Sequence, residues 1–146
     1  MEEERSADVA VYVVWSSQLG GKEKHVPGAA ELMEDRRAVH FWDPDQRVGK
    51  AYQPILGTPA AAWDVWMLFD RGERWTGDAP PRPTWWEHQL SQLPSERFLD
   101  PERFAQKAQN LVRRKAAALS VPPVRWGRSA PWVAVLRWLR LAPGLG

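Results

Sequence analysis

Residues 9–15 carry a nearly continuous run of β-branched and aromatic side chains, Val-Ala-Val-Tyr-Val-Val-Trp. A strand with one face in water alternates apolar and polar residues, whereas an unbroken apolar run is typical of a strand covered on both faces. Both faces are covered when helices pack above and below a parallel or mixed sheet. The run therefore favours an α/β fold for this chain of 146 residues, which is the size of one domain.

The rest of the chain adds further strand and helix patterns. Runs of bulky apolar residues predict four strands, the last two joined as a hairpin: 9–15, 38–42, 62–69 and 74–76. Apolar spacing and proline or capping signals predict four helices: 26–33, 44–56, 85–93 and 101–118. Asp43-Pro44 and Asp100-Pro101 each place a capping carboxylate before a proline suited to the first helical turn, and Gly57 should end the second helix. This order predicts a mixed sheet of about four strands with helices on its faces.

Charge and composition divide the chain into three parts. Residues 1–8 are predicted to be disordered, 9–118 to form the α/β domain, and 119–146 to form a basic tail that is flexible or a short helix. The last 26 residues hold four arginines and no acid, which leaves 16 basic and 18 acidic residues in 1–120. Because the body is nearly neutral, it has no electrostatic footprint for phosphates, and nucleic-acid binding is not expected. An apolar helical stripe with flanking arginines in residues 132–141 could contact a membrane surface or an acidic partner, although a disordered or loosely docked extension is the simpler interpretation.

The chain contains no cysteine. It therefore has no disulfides, no cysteine-based zinc sites and no thiol nucleophile. An acidic start and a short first apolar run are unlike a signal peptide, and no segment reaches the length of a membrane span, so the expected location is the cytoplasm. No phosphate-binding loop or nucleophile elbow is present, so no catalytic residue and no cofactor is predicted.

Two groups of side chains are candidates for a site. His40, Asp43 and Asp45 lie within six residues and offer the nitrogen and oxygen ligands of a divalent metal. The simpler interpretation is that Asp43 caps the second helix and Asp45 faces its positive end. Aromatic residues and one histidine could line a ligand groove or hold a cation, although packing in the core is the simpler interpretation: Trp42, Trp63, Trp85, Trp86 and His88.

A series of landmarks runs from residue 9 to about residue 115. These are Tyr12-Val13-Val14-Trp15, residues 35–43 (Asp-Arg-Arg-Ala-Val-His-Phe-Trp-Asp), Leu56-Gly57-Thr58-Pro59, residues 62–69 (Ala-Trp-Asp-Val-Trp-Met-Leu-Phe) and residues 81–90 (Pro-Arg-Pro-Thr-Trp-Trp-Glu-His-Gln-Leu). With several tryptophans in this order, the chain resembles a group of bacterial thioredoxin-like proteins.

The resemblance implies a thioredoxin-like sheet that is N-terminally incomplete. In that group a strand, a Cys-x-x-Cys turn and a long helix precede the matching region, and the first cysteine would be the attacking thiolate. The positions of that unit do not exist here, so none of its catalytic residues is carried over. The group also places a cis-proline immediately before the third strand, for which Pro59 is the nearest candidate. Without the preceding strand, strand 9–15 is expected to expose an edge that a protein partner or self-association would cover.

Three hypotheses follow for function. The first is a thioredoxin-like protein without thiol redox activity, acting as a binding or remnant domain. The second is a non-thiol, metal-assisted enzyme built on His40, Asp43 and His88. The third is a scaffold whose basic tail attaches it to anionic lipid or to an acidic partner.

Overall fold

The computed structural model describes residues 9–33, 35, 37–118 and 132–138. Its strands are β1 (Ala10–Ser16), β2 (Ala38–Asp43), β3 (Val65–Phe69), β4 (Trp85–His88) and β5 (Trp132–Trp138). Its α-helices are α1 (Val26–Ala30), α2 (Arg47–Leu56) and α3 (Pro101–Ala118), with short 3-10 turns at Gln18–Gly20, Glu23–His25 and Ser95–Arg97. The predictions for residues 1–8, 119–131 and 139–146 lie outside the described residues.

The five strands form one mixed sheet in the order β2-β1-β5-β3-β4. β1 pairs in parallel with β2 on one side and with β5 on the other, while β3 pairs antiparallel with both β5 and β4. Helices pack on both faces of this sheet, so the predicted mixed α/β class is confirmed. β1 is an interior strand, which is the position that its unbroken apolar run requires.

The position of β5 corrects two expectations from the sequence. Residues 132–138 form a strand and not the short helix predicted from their apolar stripe. The amphipathic surface expected in 132–141 required that helix, so residues 132–138 do not form it. Valines at alternate positions also fit a strand, and a segment this short does not discriminate between the two periods. With β5 in place, β1 has neighbours on both sides and is not the exposed edge.

The strand that pairs with β3 also differs from the prediction. Val65–Phe69 pairs with Trp85–His88, with Val65 opposite His88 and Met67 opposite Trp86. Residues 74–76 form no named strand, and the helix predicted over 85–93 is wrong. Aromatic residues such as these two tryptophans favour strands, and β3 provides the backbone with which they pair.

All three α-helices occur where the sequence predicts them, and α1 and α2 each differ from the prediction at one end. α3 spans 101–118 as predicted, and α2 ends at Leu56, where it is capped by Gly57 in the left-handed conformation with φ of 70°. α2 begins at Arg47, three residues later than Pro44, because Gln46 has a left-handed backbone with φ of 56°. α1 is shorter than predicted and ends at Ala30. No peptide bond among the described residues is cis, that of Pro59 included.

Two hydrophobic clusters hold the layers together. On the face covered by α2, the helix residues Tyr52 and Leu56 pack against Val65, Met67 and Phe69 of β3. On the opposite face, covered by α1, a second cluster is centred on β1: Val13 and Trp15, with Val11, Val26, Ala29, Met33, Ala38 and Trp42 around them. Val14 of β1 packs against the first cluster, so alternate residues of β1 contribute to both cores, as its sequence predicts.

Candidate functional site

The predicted metal ligands are engaged in three different local interactions. The indole Nε1 of Trp15 donates a hydrogen bond of 3.0 Å to Nδ1 of His40, and the planes of the two rings are nearly parallel, with an angle of 12° between them. The Asp43 carboxylate accepts the backbone N–H groups of Arg47 and Val48 at 2.9 Å each, so it caps α2 from outside the helix. Asp45 pairs with the Arg47 guanidinium at 3.0 Å. Within the described residues no three metal-ligating side chains form a cluster.

His40 and His88 lie on opposite edges of the sheet. His40 is on β2 and His88 on β4, four inter-strand steps apart. At about 4.8 Å a step, the two strands are about 19 Å apart. One metal ion cannot bind both imidazoles at that separation, because zinc–nitrogen bonds are only about 2 Å long. The structure therefore does not bring His40 and His88 together in one metal site.

The aromatic candidates do not line one common groove. Trp42 on β2 packs into the cluster of Trp15 on the α1 face. Trp85 and Trp86 belong to β4 at the far edge, and as neighbours in a strand they point to opposite faces. Trp63 lies in the loop before β3.

Cations from the chain itself already occupy the tryptophan faces on β4. The Arg97 guanidinium lies 5.2 Å from the ring centre of Trp85 and 4.7 Å from that of Trp86. The Lys107 ammonium lies 4.4 Å from the Trp85 ring centre. The same guanidinium donates a hydrogen bond of 3.1 Å to the Trp86 carbonyl. These contacts fix β4 against its neighbours, which favours the packing interpretation over a free cation site.

Glu87 is a buried carboxylate with a full set of donors. It accepts hydrogen bonds from the Trp85 indole at 2.9 Å, the Asp100 backbone N–H at 2.9 Å and Nε of Arg103 at 2.7 Å. Burial alone would raise the pKa of Glu87, but the hydrogen bonds and the charge of Arg103 outweigh it and hold the pKa below its usual range. The group therefore stays ionised at neutral pH and ties β4 to the start of α3.

His88 is equally buried and equally engaged. The backbone N–H of Leu90 donates to Nδ1 at 3.0 Å, and Nε2 lies 3.0 Å from the Pro94 carbonyl oxygen. Because a carbonyl can only accept, this geometry assigns the proton to Nε2. Both ring nitrogens are used by the turn that follows β4, so the side chain is structural in this fold.

The two edges of the sheet differ in how far they are covered. At the outer edge of β4, the Leu99 N–H donates to the His88 carbonyl at 2.7 Å, Phe98 forms a bridge with His88, and Arg97 binds the Trp86 carbonyl. At the outer edge of β2, no other strand or bridge in the described part of the chain pairs with the backbone. We call this side of Ala38–Asp43 the β2 edge.

Apolar side chains stand beside the β2 edge. Val39 and Phe41 are each 48% exposed. They lie on the same face of the sheet as α2, but α2 covers β3 and not β2. The ring centre of Tyr12 lies 6.2 Å from that of Phe41. Sequence reasoning missed this surface because it placed the open edge at β1. The signal was present in residues 38–42, which contain no charged residue and no proline to protect an edge.

Compared with models of known protein families, with curated proteins and with solved structures, the chain matches none of them. Among the described helices, none has both the length and the apolar character needed to cross a membrane.

Proposed function

We propose that this chain is a thioredoxin-like α/β domain without thiol redox activity, and that it binds an extended polypeptide strand along the β2 edge. Support for the thioredoxin-like part comes from the order of motifs, with the parallel pair β1 and β2 followed by the antiparallel pair β3 and β4 and then by helix α3. Because the sequence has no cysteine, none of its residues can carry out dithiol chemistry, and a binding role is consistent with that.

The contrast between the two sheet edges carries the proposal. Residues 97–99 provide hydrogen bonds to the outer edge of β4, whereas no second strand in the described residues pairs with the β2 edge. Backbone hydrogen bonds outside the sheet are made at the two ends of β2, where the Ala38 N–H donates to the Asp35 carbonyl and the Asp43 carbonyl accepts from the Gln46 N–H. An edge strand presents a row of backbone N–H and C=O groups that a further strand can pair with. Strand addition of this kind takes its affinity from the main chain and its specificity from alternate side-chain positions. Val39 and Phe41 are such alternate positions.

The sharpest test is an NMR titration with a capped heptapeptide of alternating valine and threonine. We expect the amide shifts of the labelled protein to change mainly in residues 38–43 and in the neighbouring β1. The same peptide with N-methylated amides along one side has nearly the same side chains but lacks those main-chain donors, and it should not bind. If the shifts fall mainly on other strands, or do not change at all in a chain that is monomeric, the proposal is wrong.

A pair of lysine variants supplies the matched control. Val39→Lys adds a charge at the β2 edge and should abolish the shifts in residues 38–43. Leu32→Lys makes the same kind of change at a residue that is 84% exposed beyond the end of α1, and it should leave the titration unchanged. Equal binding by both variants contradicts the assignment of the site to the β2 edge.

A further inference from the structure

We infer that the strand accepted by the β2 edge is β2 of a second copy of this chain, paired antiparallel about a two-fold axis through His40. This inference rests on the proposed function, because it names the partner of the same edge. Such pairing would join two five-stranded sheets into one continuous sheet.

Symmetry and the strand pleat restrict the possible registers. Two copies of one edge strand pair antiparallel when the two-fold axis runs perpendicular to the sheet, and each face then continues into the same face of the partner. Directly opposed residues must therefore point to the same face. Residues of one strand that point to the same face are an even number of positions apart. The residue midway between them therefore lies opposite the same residue of the other copy, and the two-fold axis passes between these two; we call this an axis through that residue.

The register centred on His40 matches apolar with apolar positions. It places Val39 of one copy opposite Phe41 of the other, which covers the two half-exposed side chains on that face. On the opposite face Ala38 lies opposite Trp42. At both ends Arg37 of one copy lies opposite Asp43 of the other. Each already has a partner in its own copy, since Arg37 pairs with Asp35 and the Asp43 carboxylate caps α2, so the match between the copies lies in the apolar pairs.

The neighbouring registers fit less well. Centred on Phe41, the pairing places Val39 opposite the buried, charged Asp43 and Ala38 opposite Pro44, which has no N–H to donate. Centred on Val39, it places the charged Arg37 opposite Phe41. Only the axis through His40 pairs the six residues of β2 without bringing a charged residue or a proline opposite Val39, Phe41 or Ala38.

The composition of β2 lacks the usual obstacles to pairing between edges. Native edge strands are commonly blocked by lysine, proline, a bulge or an inward-pointing charge. Between Ala38 and Trp42 there is no charged residue and no proline, and the register of β2 with β1 is continuous from Val11 opposite Ala38 to Ser16 opposite Asp43. An uninterrupted apolar edge of this kind is suited to a self-complementary partner.

The test measures the oligomeric state of the full chain by sedimentation velocity over a concentration series. The wild-type chain should form a dimer. Val39→Lys and Phe41→Glu should each weaken the dimer at least tenfold in its dissociation constant, and Leu32→Lys should not. Circular dichroism of each variant, unchanged from wild type, shows that the fold is retained.

Mixing the two edge variants tests the register itself. In a dimer centred on His40, the lysine introduced by Val39→Lys in one copy faces the glutamate introduced by Phe41→Glu in the other. The unchanged Phe41 and Val39 form the remaining pair, so an equimolar mixture should form the heterodimer. A chain that carries both substitutions should dimerise with itself, because each lysine then faces a glutamate of the other copy. A mixture that stays monomeric, or a dimer that neither single variant weakens, overturns the inference.

The peptide titration separates this inference from the proposed function. A wild-type chain that is monomeric at every concentration, but whose residues 38–43 shift with the valine–threonine peptide, overturns the second copy and keeps the strand-binding edge. A monomer without peptide-dependent shifts overturns both.

Discussion

Nε of Arg103 on α3 donates a hydrogen bond of 2.7 Å to the carboxylate of Glu87 on β4, although Glu87 is completely buried. The Trp85 indole and the Asp100 N–H complete the set of donors. A buried carboxylate is stable only when it is paired and hydrogen-bonded in this way. This single group therefore links β4, the loop before α3 and α3 itself.

Glu87 should make the stability of the protein sensitive to acid. Its pKa is held below the usual value of 4.5, so the folded chain binds fewer protons there than the unfolded chain. The stabilisation is fully present above that usual value and is lost as the pH falls through the lowered pKa. Urea unfolding from pH 7 to pH 3 should show a steeper loss for the wild type than for Glu87→Gln.

Glu87→Gln should also lower the free energy of unfolding at pH 7 by about 1–3 kcal/mol, since it removes the charge that accepts hydrogen bonds from Trp85, Asp100 and the partly exposed Arg103. Glu96→Gln changes an exposed glutamate in the adjacent turn and should cost less than about 0.5 kcal/mol. Equal effects of the two variants would show that the buried pair has no special role.

His88→Leu should lower the free energy of unfolding by about 2–4 kcal/mol. The change leaves the buried Leu90 N–H and the Pro94 carbonyl without their present partner. Zinc should not raise the melting temperature of the wild type through this residue, because both ring nitrogens are already engaged. A zinc-dependent rise that His88→Leu abolishes would contradict the structural role.

Tyr52→Phe should raise the free energy of unfolding by about 1 kcal/mol. The Tyr52 hydroxyl is buried without a hydrogen-bond partner in the described part of the chain, and its desolvation is unfavourable. Burial also raises the pKa of Tyr52 above its usual value of 10.0, so the wild type should lose stability above that pH and the variant should lose less. Tyr52→Leu, which loses the ring contacts with Phe69 and Trp75, should instead destabilise. Thermal unfolding of all three chains at pH 7 and pH 11 measures these differences.

Gly49→Ala should destabilise the protein by about 1–3 kcal/mol, although alanine is the better helix former. A Cβ at Gly49 would collide with the backbone carbonyl oxygen of Ala62, whose N–H donates to the Gly49 carbonyl at 2.9 Å. Gly28→Ala in α1 is the matched control, since its Cβ would meet open space, and it should leave stability unchanged or raise it by up to about 1 kcal/mol. Chemical denaturation of both variants distinguishes close helix packing from helix propensity.

Several elements could be predicted from local sequence because their signals need no distant partner. The apolar run of β1, the helix α3 and the left-handed Gly57 that ends α2 are examples. Asp43 was correctly predicted to cap α2, but the start of that helix was not, since the left-handed Gln46 intervenes.

The candidate sites depended on distances that no local pattern contains. His40 and His88 looked like members of one site until the strand order placed them at opposite edges. The open edge was expected at β1, whereas β5 pairs with β1 and the edge lies at β2. Trp85–His88 was expected to be helical and is a strand, because β3 supplies the pairing backbone.

By itself, the sequence determined that this is an α/β chain with a buried first strand and no thiol, because apolar periodicity and residue type are local properties. Only the tertiary structure decided which strands are neighbours, which edge is open and which polar groups are buried together. Strand pairing joins residues far apart in the chain, and its free energy depends on the partner as much as on the segment.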